Sequence, residues 1–296
     1  MADRNTGAVA RETHYRVLHR GRPAPFSQLF LWKEELASFF NSESVVEQEL
    51  WKDRVGRRWD VARPNWRLSP PSMVLGFPGP CSYLKGLFWR LVIIEHSDLD
   101  LLLELGGQRF GTTFCVPACH GCSACSAARI PVERFEMRRS QRRTWRRNQD
   151  LEVEIGPVEY TPEKFEIMKS FLHRRFGNHL AHLLEESKRE AFYHNWMLYR
   201  YGGTLEFRYR LQGRLVAVGS LDRSQRNAYS HYFFYDPDEH RRRLGIFSFL
   251  YELDWCRRQG LEHLYIGFYN ERSPSMRYKS ELQPLQLLHP ERGWEG

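Results

Sequence analysis

Apolar residues recur at helical spacing in three main stretches of the chain. Within Phe26–Val55, positions 29, 32, 36, 39 and 40 are apolar, which predicts one or two amphipathic helices. A second helix is predicted from Thr161, a suitable N-cap followed by Pro162 at the first helical position. A third begins at Leu244 and is ended by Gly260. Shorter helices are predicted at Ser97–Leu105, Ser140–Asn148 and Leu180–Tyr193.

Alternating apolar and polar residues predict strands, most clearly in the C-terminal half. Leu205–Leu211 and Arg214–Asp222, joined by Gln212-Gly213, are typical of a β-hairpin. Residues 273–290 are expected to form a short helical or irregular tail. Further extended segments are predicted at Leu91–Glu95, Phe110–Cys115, Ala128–Phe135, Asp150–Tyr160, Ala228–Tyr235 and His263–Tyr269.

The order of these C-terminal elements favours an α+β fold similar to the GNAT-type acyltransferases. In that fold antiparallel strands are followed by a strand that diverges from its neighbour. A loop then connects this strand to the N-terminus of a helix. Unpaired backbone N–H groups at such a terminus bind anionic groups. Here the predicted helix that starts at Leu244 is preceded by three arginines, Arg241, Arg242 and Arg243, which add positive charge at that point.

Proline positions divide the chain. Prolines at 64, 70, 71, 78 and 80 exclude a long regular element there and place a boundary near Ser72. We therefore expect an N-terminal, partly helical extension at 1–75, a smaller cysteine-containing domain at 76–155, and a GNAT-like domain with a mixed sheet and flanking helices at 156–296.

Composition and charge narrow the class of protein. The chain has 296 residues, of which 42% are hydrophobic, so a core can be buried. Its net charge of +8 favours an anionic partner. The N-terminus has no apolar core of a secretion signal, and no apolar stretch approaches 18 residues. We expect a soluble cytoplasmic protein that does not enter a membrane.

Cysteines crowd into one short segment. Cys119, Cys122 and Cys125 have C-x2-C-x2-C spacing, with Cys115 just before them and Cys81 further upstream. In a chain without a secretion signal this crowding indicates metal or redox chemistry. Three thiolates with Cys81 or Cys115 as the fourth ligand would suit zinc or an iron–sulfur cluster, while reduced thiols without metal remain the alternative. Cys256, on an apolar helix, is expected in the core.

An arginine-rich helix follows the cysteines. Arg139, Arg142, Arg143 and Arg146 have the spacing that places side chains on one helical face. Forked guanidinium groups suit phosphates, and they also form bidentate pairs with carboxylates. The ridge is therefore a candidate surface for RNA or for an acidic group, with a merely solvated basic face as the alternative.

Taken together, these motifs resemble the arginyl-tRNA–protein transferase family in its bacterial form. The segments that carry the resemblance are Cys81-Ser82-Tyr83-Leu84; Phe110-Gly111; Cys119 to Cys125 with Arg129; Ser140-Gln141-Arg142-Arg143 with Arg147-Asn148-Gln149-Asp150-Leu151; Leu215 to Gly219 and Asp222; Tyr232 to Pro237; Leu244-Gly245; Tyr265 to Tyr269; and Met276 to Lys279 with Pro284. Residues 1 to about 75 have no counterpart. Arg243, Leu282 and the segment 270–272 depart from the family pattern near the presumed aminoacyl pocket.

The resemblance implies transfer of an amino acid, leucine in the bacterial form, from aminoacyl-tRNA to the N-terminal amine of proteins that begin with Asp or Glu. It does not imply a DNA partner. It also implies no essential cofactor for the transfer, because the aminoacyl ester is already activated. Arginine as donor, a specialised peptide or small molecule as acceptor, and a non-catalytic binding protein remain alternatives. The site residues expected on this basis are Asp222, Tyr235 and Asp236 for catalysis; Arg143, Arg146, Arg147, Arg243, Leu244, Gly245 and Lys279 for the tRNA and its aminoacyl end; Arg139, Ser140, Gln141 and Arg142 for the acceptor; and Cys81, Cys119, Cys122 and Cys125 for metal. Asp236 could instead cap the turn that it begins.

Overall fold

The computed structural model describes residues 72–75, 79–81, 83–89, 91–119, 122–176, 188–199, 201–289 and 291–296. The helices expected at Phe26–Val55, and the N-terminal extension up to residue 71, lie outside these residues. None of the described helices is long and apolar enough to cross a membrane.

The described part of the chain contains both strands and helices. The strands are β1 (Ser72–Leu75), β2 (Gly79–Pro80), β3 (Phe88–Trp89), β4 (Leu91–Glu95), β5 (Gln108–Phe110), β6 (Thr113–Pro117), β7 (Ser126–Pro131), β8 (Leu151–Gly156), β9 (Thr204–Leu211), β10 (Arg214–Arg223), β11 (Asn227–Tyr235), β12 (His263–Tyr269), β13 (Gln286–His289) and β14 (Gly293–Glu295). The α-helices are α1 (Leu99–Glu104), α2 (Arg139–Arg147), α3 (Pro162–Phe176), α4 (Arg189–Met197) and α5 (Leu244–Arg258), with 3-10 helices at Pro237–Arg242 and Arg277–Glu281.

An eight-stranded mixed sheet forms the centre of the described fold. Its strand order is β14-β13-β7-β12-β11-β10-β9-β8. Strands β8 to β11 are antiparallel to one another, whereas β11 and β12 are parallel and are connected through α5. This order, with a helical crossover between two parallel strands, is the GNAT-like arrangement expected from the sequence.

The two parallel strands part soon after they meet. They pair only from Asn227 with His263 to Tyr229 with Tyr265. Beyond that point β12 contains Gly267 with a φ of +75°, and its register with β7 shifts between Tyr265 and Phe268. A left-handed residue within a strand bends it, so β12 turns away from β11 and leaves a V-shaped gap.

Helix α5 packs over this sheet. Nine of its residues are buried, among them Phe247, Leu250 and Trp255, because apolar side chains cover most of its surface. Phe207 of β9 meets Trp255 edge-on at 5.7 Å between ring centroids. Burying side chains of this size stabilises a fold by about 1.5–3 kcal/mol each, and this packing fixes the direction in which the helix N-terminus points.

A smaller four-stranded sheet, β1-β4-β6-β5, lies beside the large one and is entirely antiparallel. Its helix α1, predicted at Ser97–Leu105, begins at Leu99 because Asp98 caps it. The Asp98 Oδ1 accepts hydrogen bonds from the N–H groups of Asp100 and Leu101 at 2.9 and 3.3 Å.

Arg109 and Asp222 form a fully buried ion pair between the two sheets. Arg109 lies on β5 and Asp222 on β10, and their side chains are 0% exposed with 2.5 Å between Nη1 and Oδ1. The other terminal nitrogen of Arg109 donates to the carbonyls of Trp196 and Met197 at 2.8 and 2.9 Å. Thr204 Oγ1 donates to the same carboxylate oxygen. Burial raises the pKa of Asp222, and the guanidinium of Arg109 opposes that rise.

Three sequence predictions of secondary structure were wrong in detail. The single extended segment at Phe110–Cys115 is a hairpin that turns at Gly111. The strand expected to reach Phe135 ends at Pro131, where a turn begins. The expected tail contains strands β13 and β14, which join the sheet through pairing of β13 with the sequence-distant β7. Such long-range pairing has no local signal.

Two further predictions meet the described residues only in part. The helix expected at Leu180–Tyr193 is seen as α4, Arg189–Met197, while residues 180–187 lie outside the described chain. The expected domain boundary at 155/156 falls inside strand β8. Strand β7, from the expected cysteine-containing domain, also belongs to the large sheet.

The Arg109–Asp222 pair predicts a large stability difference. Asp222→Asn removes the negative charge and leaves a buried guanidinium without its counter-ion, so we expect a loss of about 3–5 kcal/mol in the free energy of unfolding. Asp254→Asn makes the same chemical change in an exposed pair with Arg258 and should cost less than about 1 kcal/mol. Urea unfolding followed by circular dichroism measures both, and equal losses would contradict the assigned role of the buried pair.

Candidate active site

A cavity of about 1040 Å³ occupies the gap between β11 and β12. Its lining comprises Tyr229–Phe233 and Tyr235 of β11; Arg243–Ile246, Ser248 and Phe249 at the start of α5; Ile266 and Gly267 of β12; Pro274–Met276, Tyr278 and Lys279; and Cys81, Tyr83, Gln108, Phe171 and Arg175. The gap exists because the parallel strands diverge. It therefore brings together residues that are almost 200 positions apart in the sequence.

The N-terminus of α5 opens onto this cavity without a side-chain cap. Arg243 precedes the helix in the left-handed conformation, at φ 55° and ψ 44°. Within the described part of the chain, neither the N–H of Leu244 nor that of Gly245 meets an acceptor. Both residues line the cavity, and a Cβ on Gly245 would meet nothing within 4 Å. Two backbone donors at the positive end of a helix dipole are thus available to a negatively charged oxygen.

Lys279 forms part of the opposite wall. It is 9% exposed, and its Nζ donates to the carbonyls of Ile266 and Phe268 at 2.6 and 2.7 Å. These two carbonyls belong to the part of β12 that no longer pairs with β11. The ammonium group therefore supplies the hydrogen bonds that a neighbouring strand would otherwise donate. Burial lowers the pKa of Lys279 to about 7. No carboxylate among the described side chains pairs with it, so this amine lines the cavity without a counter-ion.

Helix α2, which carries the arginine ridge, packs against α5 and lies outside the lining of this cavity. In α2 the side chains of Gln141 and Thr144 are buried, while Arg139, Arg142, Arg143, Arg146 and Arg147 are exposed. The predicted single exposed face is therefore present. Trp145 fixes the helix against α5 through ring contacts with Phe247 and Tyr251 at 5.5 and 6.1 Å.

Helix α2 is also bonded to both segments that frame the mouth. Gln141 Nε2 donates to the carbonyl of Glu281 at 2.9 Å. At its other end Asn148 Nδ2 donates to the carbonyl of Arg242 at 2.9 Å. Because Gln141 Oε1 also accepts from the N–H of Arg138, its amide serves to position α2. Ser140 is half-buried in the first turn of the same helix.

Ion pairs hold the same region together. Arg242 forms two 2.9 Å contacts with the carboxylate of Asp150. Arg243 pairs with Glu281 at 3.0 Å across the mouth, between the α5 N-terminus and the segment that carries Lys279. Both pairs are partly exposed, so they contribute little to stability, but they bring the cationic residues of three segments to one surface.

Two of the expected catalytic carboxylates lie away from the cavity lining. Asp222 is enclosed with Arg109, and so holds the two sheets together instead of meeting a substrate. Asp236 caps the following 3-10 helix, accepting from the N–H of Asp238 at 3.1 Å, and pairs with Arg214 at 2.5 Å. Neither carboxylate is among the lining residues, and the proton-accepting role expected for both stays a prediction. Tyr235 does line the cavity, where its ring packs on Phe171 at 5.1 Å.

The four expected metal-ligand cysteines are neighbours. Burial is the main cause that raises the pKa of Cys125. The charges of Cys119, Cys81 and Cys122 raise it further, which places these thiols close to Cys125. Cys81 Sγ accepts from the N–H of Leu84 at 3.4 Å. Cys125 Sγ accepts from Asn270 Nδ2 at 3.5 Å. Among the described residues, however, no three His, Cys, Asp or Glu side chains stand in metal-binding geometry. The donor chemistry fits a metal, whereas the arrangement does not form a ready ligand set.

Sequence reasoning missed a polar group at the base of the cavity. Ser230 and Ser248 line it, and Glu252 lies behind them, 1% exposed. The signal available was a serine and a glutamate four residues apart on an otherwise apolar helix. His231 also lines the cavity. It is neutral, because burial lowers its pKa well below the usual range, and its Nε2 lies 3.0 Å from the carbonyl of Trp196.

Comparison with known proteins identifies relatives of this chain. Residues 79–143 match the family described as "Arginine-tRNA-protein transferase, N terminus", and residues 163–289 match its "C terminus" counterpart. An "Aspartate/glutamate leucyltransferase" of Hahella chejuensis is 33% identical over 217 residues, which cover 71% of this chain and 90% of the relative. A protein of the same name from Acinetobacter baumannii is 30% identical over 220 residues, covering 71% and 79%.

Solved structures give looser matches. FemX has a TM-score of 0.42 at 10% identity, covering 83% of this chain and 94% of FemX. A tandem GNAT protein from the clavulanic acid pathway has a TM-score of 0.39 at 10% identity, covering 78% and 91%. These scores are too low to support a fold assignment. The GNAT-like architecture is therefore assigned from the strand order of this chain. The matches to both halves of one family and to full-length relatives agree, and the chain belongs to the arginine-tRNA-protein transferase family.

Proposed function

We propose that this protein transfers leucine from aminoacyl-tRNA to the N-terminal amine of a protein or peptide that begins with Asp or Glu. The observation that carries the proposal is the cavity between β11 and β12, with uncapped helix donors at one wall and, bonded to the segment before that helix, the helix that carries the arginine ridge. The relatives named aspartate/glutamate leucyltransferase support both the donor and the acceptor.

The lining of the cavity favours leucine over arginine as the donor residue. Phe171, Ile246, Phe249 and Met276 supply apolar walls. No carboxylate of the described residues lines this cavity, whereas a guanidinium donor would need one. Arginine transfer, and transfer to a specialised peptide or small molecule, are the alternatives that the same scaffold would allow.

The cationic surface supports binding of the RNA end. In this proposal Arg143, Arg146 and Arg147 contact phosphates near the 3′ end of the tRNA, since exposed guanidinium groups suit phosphate oxygens. Arg243 and Lys279 then flank the aminoacyl ester from opposite walls. Phosphate contacts of this kind make the affinity strongly dependent on salt.

The acceptor carries a carboxylate beside its α-amine. Arg139 and Arg142 are exposed on the same ridge, and an arginine–carboxylate pair would select Asp or Glu. Ser140 and Gln141 contribute by fixing the helix that presents these arginines. Both substrates would then approach the cavity from the α2 side.

The reaction is an attack of a neutral amine on an ester carbonyl. Holding the two groups in contact supplies on the order of 7–11 kcal/mol when the geometry is favourable. The N–H groups of Leu244 and Gly245 are suited to stabilise the oxyanion that develops. The Tyr235 hydroxyl is a candidate to orient the ester. Asp222 and Asp236 have a structural role: Asp222 holds the two sheets together, and Asp236 caps the 3-10 helix.

For the cysteines we propose a metal-binding role that is separate from the transfer step. Cys81, Cys119, Cys122 and Cys125 would hold zinc or an iron–sulfur cluster after a small rearrangement, because all four are neighbours and two already accept N–H···S hydrogen bonds. Such a centre would fix the segment that forms the wall near Cys81 and Tyr83.

Arginine substitutions on the ridge test the RNA and acceptor surface. Arg142→Ala combined with Arg143→Ala should lower transfer to Asp and Glu peptides, because Arg142 no longer pairs with the acceptor carboxylate. It should also weaken Leu-tRNA binding and lower the slope of log affinity against log salt by about 0.7, since the one phosphate contact of Arg143 is lost. The measurement is filter binding of charged tRNA with mass spectrometry of peptides that begin with Asp, Glu or Ala. Addition of leucine only to the Asp and Glu peptides is expected for the wild type.

The matched control removes two exposed arginines elsewhere, Arg258→Ala with Arg292→Ala. This variant has the same change in net charge and should bind tRNA as the wild type does. If the two double variants behaved alike, the effect would come from net charge, and the ridge would lose its assignment.

Metal analysis tests the cysteine proposal. Protein purified without oxygen should contain zinc or iron with inorganic sulfide, and Cys122→Ser should lose most of it because one ligand is missing. Cys256→Ser alters a buried thiol on α5 and should keep the metal. Elemental analysis and absorbance spectra report both. Metal-free wild type with full transfer activity would show that the thiols are reduced and structural.

A further inference from the structure

A carboxylate is buried behind the serine lining of the cavity. Glu252 lies in α5 and is 1% exposed. Its Oε1 accepts from Ser248 Oγ at 2.8 Å, and Ser230 lies close enough to lower the pKa of this carboxyl group. Its Oε2 has no hydrogen-bond partner in the described chain. A buried carboxylate with one unsatisfied oxygen costs free energy, so its presence beside a cavity points to a use in function.

The two serines connect this carboxylate to the cavity. Ser230 is the first residue of β11 after its last pair with β12, so it lies where the strands part. Ser248 is on the first turns of α5 and accepts a hydrogen bond from Tyr209 at 3.3 Å while it donates to Glu252. Both serines line the cavity. A group bound at this point therefore meets a hydroxyl whose proton is already directed to the carboxylate.

The protonation state of Glu252 suits proton exchange near neutral pH. Burial raises its pKa to about 7. The titratable groups whose charges act with it are Tyr209 of β9, Cys256 of α5 and Tyr278 of the 277–281 helix, and all are neutral because the pKa of each is raised. Lys279 lines the same cavity, and burial lowers its pKa to about 7. The neighbouring strand β10 presents Gly219 there, which cannot titrate. His231 is a weak base, since its pKa is well below the usual range.

The proposed reaction requires a group with these properties. The amine nitrogen forms a bond to the ester carbonyl carbon, and the bond from that carbon to the ribose oxygen breaks. The nitrogen must lose one proton, and the ribose oxygen must gain one. A base with a pKa near the working pH takes up and returns a proton with the smallest free-energy cost.

We propose that Ser230 and Ser248 form the subsite for the α-amine of the acceptor, and that Glu252 holds the amine's proton through their hydroxyls. The inference rests on the proposed function, because it assigns the amine of that reaction. The serines touch the amine, while Glu252 is a positioning residue that acts through them. The proton passes from nitrogen to a serine oxygen as the serine proton moves to Glu252, and it returns to the ribose oxygen when the ester bond breaks.

The test compares pH profiles of kcat for leucine transfer to an Asp peptide. In the wild type, kcat should rise with pH in a step near 7, because the ionised Glu252 accepts the proton. Glu252→Gln should lower kcat at pH 7 by about 100-fold and abolish this step. Its KM for Leu-tRNA should stay unchanged. Glu252→Asp should restore part of the activity, and Ser248→Ala should lower kcat in the same direction.

Glu206→Gln is the matched control. Glu206 is also buried, at 0% exposed, but it pairs with Lys164 and Tyr193 and does not line the cavity. This variant should lose thermal stability while kcat per folded molecule and the pH step are kept.

Two results separate the inference from the proposed function. If the wild type transfers leucine and Glu252→Gln keeps the step near pH 7, the amine subsite is overturned and the proposed function stands. If the wild type transfers leucine to no acceptor, the proposed function fails and the subsite falls with it. Loss of the step in Glu252→Gln, with the control unchanged, supports the subsite.

Discussion

The divergence of β11 from β12 is the constraint on which the rest of the structure depends. Parallel strands that separate leave backbone groups without strand partners, and buried groups of this kind must be satisfied in another way. On β12 the ammonium of Lys279 satisfies two carbonyls. On the β11 side the gap is faced by the start of α5, whose own N–H groups are also unpaired. The cavity thus combines a space with polar groups that no regular element can satisfy.

The divergence also requires a rigid frame, because two strands that no longer pair cannot hold each other in position. Arg109 and Asp222 lock the small sheet to β10, and they bring the end of α4 to the same point. Burying two charges costs several kcal/mol of desolvation, which close contact and further hydrogen bonds must offset. Here Thr204 and two carbonyls supply such bonds, while Arg109 Nε and Asp222 Oδ2 have no hydrogen-bond partner among the described residues. The pair is best understood as a specific lock between sheets and not as a source of net stability.

Buried ionisable groups in this molecule differ in whether an oppositely charged partner is present among the described residues. Lys164 and Glu206 are paired, with Tyr193 as a further donor. Lys279 and Glu252, at the cavity wall and base, have no oppositely charged partner among the described residues. The pKa values of both are shifted to about 7 by burial. Incomplete satisfaction beside a cavity is typical of groups that meet a substrate.

The sequence by itself determined the elements with strong local signals and the chemistry that they carry. Periodicity and turn residues identified α3, α5, the β9–β10 hairpin and the exposed arginine face of α2, because these depend on neighbours a few positions away. Ordered motifs indicated the family. Only the tertiary structure decided which polar residues meet. It enclosed Asp222 with Arg109, turned the expected tail into strands β13 and β14, and brought Glu252 to Ser230. Pairing across long sequence separations and burial of charge depend on the whole fold, so no local pattern encodes them.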